Sequence, residues 1–63
     1  MAHVSLTFEG VEEADLVNRL TSELMMVDGV ESAEVGRHGA DVEGRMNRAA
    51  LIKAVERLGV TVN

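Results

Sequence analysis

From His3 to Phe8 the chain alternates polar and apolar, with Val4, Leu6 and Phe8 falling on one side. A period of two carried by β-branched and aromatic residues predicts a half-buried strand. Gly10 breaks it. Between Glu12 and Val27 the apolar positions become Leu16, Leu20, Leu24 and Val27, one stripe of an amphipathic helix that Val17 widens. Glu12, Glu13 and Asp15 crowd the expected first turn, where the positive end of the helix dipole favours anions. Asp28-Gly29 stops the helix, because glycine takes the left-handed cap conformation without penalty.

Val30, Ala33 and Val35 mark a second, weaker strand. Arg37-His38-Gly39 reads as a turn, and Ala40 to Gly44 alternates again. Asn47 is placed to cap a second helix bearing Leu51, Ile52, Val55 and Leu58, with Gly59 as its stop. Val60-Thr61-Val62 supplies a last short strand. The order is β-α-β-β-α-β, and each helix ends in Gly-Val, at Gly29-Val30 and again at Gly59-Val60. Two such halves predict an α+β split β-α-β sandwich: a four-stranded antiparallel sheet with both helices on one face. The right-handed crossover rule puts the first and third strands in the middle.

The chain's 63 residues have room for one domain, spanning 1–63, with one thin core. Without cysteine, neither a disulfide nor a thiolate-held metal can staple it. Tyrosine, tryptophan and proline are also absent, so the core rests on aliphatic residues, methionine and the single Phe8. The formal net charge of −5 argues against nucleic acid and anionic membranes, which select Lys/Arg-rich surfaces. No apolar run approaches the roughly 20 residues a membrane span needs. No leader pattern opens the chain, and the expectation is a cytoplasmic domain that does not insert into membranes.

The residues in this frame resemble the heavy-metal-associated domains of copper chaperones and metal-transporting P-type ATPases. In that family the first strand runs into Gly-Met-x-Cys-x-x-Cys, and apolar helix positions follow four, eight and eleven residues after the second Cys. Here Phe8-Glu9-Gly10-Val11-Glu12-Glu13-Ala14-Asp15-Leu16 fits without a gap, and Leu20, Leu24, Val27 and Gly29-Val30 follow in step. Asn47 to Gly59 is similar to the family's second helix. The resemblance covers essentially the whole chain and implies a ferredoxin-like fold. Its diagnostic positions differ. Glu13 stands in the place of the first Cys, Leu16 in that of the second, and Val11 replaces the usual Met. Soft ions such as Cu⁺ want thiolates, so two-thiolate metal transfer is not carried over.

Three groups remain as candidate chemistry. Glu12, Glu13 and Asp15 are candidate ligands for a harder divalent ion such as Zn²⁺, Co²⁺ or Mn²⁺, in the loop where the family binds metal. Against this, acids in a first turn also serve the dipole alone, and Glu12 and Glu13 point apart. His3 and His38 have no reason to meet, although Met1-Ala2-His3 is a Cu²⁺-chelating arrangement when the amino terminus is free. Met25-Met26 reads as core filling, with at least one of the two expected in the helix stripe, and Met46 as a staple on the second helix. Ser5, Ser22 and Ser32 have no histidine placed by any motif, no Gly-rich phosphate loop occurs, and no enzyme is expected.

The expectation is therefore a non-enzymatic module of the metal-transport lineage, without a cofactor, that docks to a protein partner or to a neighbouring domain of a transporter. Its contact surfaces would be the acidic loop with the first helix, and the open sheet face carrying Ser5 and Thr7. A divalent-metal domain using the loop carboxylates is one alternative. A small-molecule-sensing homodimer formed by pairing edge strands is another.

Overall fold

A computed structural model of the chain describes residues 2–63. The elements are β1 (Ala2–Glu9), α1 (Ala14–Met25), β2 (Val30–Val35), β3 (Gly39–Gly44), α2 (Arg48–Glu56) and β4 (Thr61–Val62). The strands form one antiparallel sheet in the order β2-β3-β1-β4, with the first and third strands central as the crossover rule requires. α1 packs over β2, α2 over β4, and the helices touch each other on one face. This is the ferredoxin-like sandwich.

Alternation decides which side chains enter the core. Leu6 and Phe8 of β1 and Ala40 and Val42 of β3 turn inward, while His3, Ser5, Thr7, Asp41 and Glu43 turn to solvent. Leu20 and Leu24 of α1 and Leu51, Ala54 and Val55 of α2 close over them, with Val11 and Val60 entering from the loops. Each buried Val- or Leu-sized side chain stabilises by roughly 1.5–3 kcal/mol. Asn47 caps α2, its side-chain oxygen accepting from the Ala50 amide at 2.9 Å. Met46, half-buried, packs against the core just before that cap.

α1 is shorter than its sequence pattern suggests. It begins at Ala14, so Glu12 lies in the loop, Glu13 is the N-cap residue and only Asp15 stands in the first turn. The Glu13 backbone is extended and its side chain makes no cap bond. The apolar stripe continues to Val27 beyond the helix proper, in the turn that leads to β2.

β2 carries a bulge. Val30 pairs with Gly44 and Ser32 with Glu43, leaving Glu31 as the extra residue. That extra residue lets Val30, Ala33 and Val35, spaced by three and then two, share the inner face. The bulge brings Gly29 and Gly44 together. The Arg45 amide donates to the Gly29 carbonyl at 2.7 Å. A Cβ on Gly44 (φ +150°) would collide with that carbonyl and lie 2.8 Å from the Glu31 nitrogen. Gly59 (φ +80°) is left-handed too, but a Cβ there meets open space.

These two glycines separate steric from conformational cost. Gly59→Ala should destabilise by about 1–2 kcal/mol, the cost of the left-handed backbone alone. Gly44→Ala should cost at least ~3 kcal/mol, because backbone must also move. Urea unfolding of the two variants measures the difference, and equal losses would contradict the close approach at the bulge.

Candidate functional site

The loop between β1 and α1 is built from inside. Val11 is buried, and Leu16 in the first turn of α1 is half-buried against the core cluster. Their neighbours Glu12, Glu13 and Asp15 are exposed. With Gly10, Leu16 and Arg19, these three acids line one shallow hollow at the start of α1. Among the described residues, no three His, Asp or Glu side chains converge closely enough to hold a metal ion. The loop thus presents carboxylates around a shared depression, with the fixed positive charge of Arg19 at its side.

A copper(I) ion does not fit the residues that stand here. It takes soft thiolate ligands, whereas Glu13 offers a hard oxygen and Leu16 has no lone pair. The side chain of Leu16 is engaged in packing. Copper transfer between paired thiolates has no chemistry to run on in this loop.

The histidines are well separated. His3 lies on the open face of β1, cross-strand from Glu43, while the His38 carbonyl accepts from the Phe8 amide at 2.8 Å. The five-residue offset along β1 is roughly 17 Å at ~3.4 Å per residue. Met1, and with it the Met1-Ala2-His3 chelating arrangement, lies outside the described residues. Met25 and Met26 differ from expectation: neither joins the core, and they are 46% and 79% exposed. α1 ends at Met25, and Val27 takes the next inward position instead.

Two features have no signal in the sequence. On the open sheet face Asp41 Oδ1 accepts from Ser5 Oγ at 2.7 Å and lies 3.2 Å from His3 Nε2. Ser5 and Asp41 are 36 residues apart and become neighbours only through the β1–β3 register. Serine, carboxylate and histidine meet here in the wrong order for nucleophilic catalysis: the hydroxyl donates to the carboxylate, and no imidazole stands ready to take its proton. The second feature is Arg48, whose guanidinium donates to the Ser5 carbonyl at 2.9 Å and to the Asn63 carbonyl at 3.3 Å. It occupies the edge of β1 where β4 has ended, and so blunts a surface open to strand addition. At the opposite edge, the bulge at Glu31 and the exposed Glu34 act in the same sense.

The Ser5 hydrogen bond, and in lesser measure His3, hold the Asp41 carboxyl below the usual carboxylate range, partly offset by desolvation. A carboxyl lowered in the folded state contributes stability at neutral pH, and the contribution is lost as pH falls through its lowered midpoint. Ser5→Ala should move the Asp41 midpoint upward, read from the Asp41 carboxyl carbon shift in an NMR pH titration. An unmoved midpoint would contradict the role given to Ser5.

No protein-family profile matches the sequence, and no curated protein matches it either. Solved structures do. The N-terminal domain of PacS from Synechocystis PCC6803 superposes with a TM-score of 0.91 at 26% identity, covering 100% of this chain and 96% of that one. The CopZ metallochaperone gives 0.92 at 24%, covering 98% and 100%. A copper-binding domain from HMA7, a P-type ATPase, gives 0.93 at 24%, covering 100% and 92%. Among the described residues, no helix is long and apolar enough to cross a membrane. Its element order, sheet order and structural neighbours agree: the chain has the ferredoxin-like fold of the heavy-metal-associated domains, and it contains no cysteine.

Proposed function

We propose that this chain, as a single domain, is a non-enzymatic docking module of the heavy-metal transport lineage. It works through protein contacts in the cytoplasm, not through metal held in the β1–α1 loop. The observation that carries this reading is Leu16: at the place of the second family cysteine stands an aliphatic side chain packed on the core. Around it Glu12, Glu13 and Asp15 are exposed, and acids without a strong ligand geometry suit a basic protein surface. A metal transporter, or a neighbouring domain of one, is the class of partner that the copper-handling neighbours suggest.

A second reading keeps Glu12, Glu13 and Asp15 as ligands for Zn²⁺, Co²⁺ or Mn²⁺, and the hollow they share is the observation in its favour. Arg19 at the same hollow works against it, since a fixed cation repels a divalent one.

An ¹⁵N–¹H NMR titration separates the two. Micromolar Zn²⁺, Co²⁺ or Cu⁺ should leave the amides of Glu12 to Leu16 unmoved. A Lys-rich peptide should shift them, and the shifts should fade as salt is raised. Saturable metal shifts at those amides would overturn docking in favour of a carboxylate metal site.

A further inference from the structure

The far end of α1 has a different character. Met25 and Met26 are the exposed large hydrophobic residues among those described. Met26 stands at the rim of a groove between the end of α1 and the outer side of α2, whose floor is Val27, Ala50 and Ala54. Lys53 and Arg57 form the opposite rim, one helical turn apart and both exposed.

Single exposed apolar residues are ordinary. Here, however, the methionine rim is continuous with an apolar floor. Thioether side chains also adapt readily to the shape of an incoming surface.

Charge narrows the occupant. The chain has eleven acids against six cations, yet four of the six cations fall between Arg45 and Arg57, with Glu56 the one acid among them. Among the described residues the ion pair found is His3–Asp41, so neither Lys53 nor Arg57 is engaged by a carboxylate. Glu23 is the one acid lining the groove. We infer that this groove is a docking site for an acidic amphipathic helical segment of a partner protein. The segment's apolar stripe lies on Met26, Val27 and Ala50, and its flanking carboxylates face Lys53 and Arg57. The net charge of −5 disfavours such a segment elsewhere on average, so the groove selects it by charge as well as by shape. α1, of 12 residues and about 18 Å length, separates this groove from the acidic loop. The domain therefore has two docking ends of opposite sign.

The test uses two synthetic helical peptides that share one leucine stripe, flanked by Glu in the first and by Lys in the second. The Glu-flanked peptide should give saturable shifts of the Met25 and Met26 methyl groups and of the Ala50 to Arg57 amides. Lys53→Glu with Arg57→Glu should weaken it by about tenfold or more while leaving the remaining spectrum, and hence the fold, unchanged. The Lys-flanked peptide should leave the groove silent. The inference is overturned by absence of saturable shifts, by equal binding of both peptides at the groove, or by an unaffected charge-reversed variant. It is also overturned by the same shifts appearing when the protein alone is concentrated, which would make a second copy the occupant. Shifts at Glu12 to Leu16 report on the acidic loop separately, so failure at one end is distinguishable from failure at the other.

Discussion

Among the described residues eleven buried apolar side chains hold this domain together, and the shape of everything else follows from how few they are. In a chain of 63 residues without cysteine, and so without a disulfide or a thiolate-held metal, the core has to draw on loops as well as on strands and helices. Val11 and Val60 come from loops, and Leu16 seals the first turn of α1. The β1–α1 loop is therefore fixed by packing. A loop that presented two thiolates to a metal would leave that position to the ion. Here Leu16 packs against the core instead, an exchange of ligand for packing that the resemblance implies.

That exchange sorts the surface. Once Leu16 and Val11 face inward, the residues left outward at the loop are Glu12, Glu13 and Asp15. The cations gather instead around α2. Arg48 closes the β1 edge through two backbone carbonyls, while Lys53 and Arg57 stay free beside an apolar groove. An otherwise acidic domain thus keeps one basic, partly apolar place, at the opposite end of α1 from its carboxylates. Specificity for partners can come from such an arrangement without any bound ion.

Much of the fold is legible in the amino-acid pattern, because alternation in β1 and β3 and the Leu20, Leu24, Leu51 and Val55 stripes reflect burial directly. The β2 bulge is not. The uneven spacing of Val30, Ala33 and Val35 reads as a weak strand, yet it is the trace of an inserted Glu31. The start of α1 is equally hard to place, because acids are as acceptable in a cap as in a first turn and the carboxylates give no boundary. One of Met25 and Met26 is expected in the core stripe, but Met25 stands about 100° round α1 from the buried Leu24 and Met26 lies past the helix end. The contacts of Asp41 with Ser5 and His3, and of Arg48 with Ser5, join residues far apart in the chain, so no local pattern announces them.

The claim that packing holds the β1–α1 loop is tested most directly by the metal-free stability of a Glu13→Cys, Leu16→Cys double variant in denaturant unfolding. Glu13 is exposed and contributes little, so a loss reports on Leu16. The account predicts that the variant is less stable than the parent domain by about 1 kcal/mol, the cost of removing part of a half-buried aliphatic side chain. A variant as stable as the parent would show that the Leu16 contact contributes nothing, and the account would be wrong.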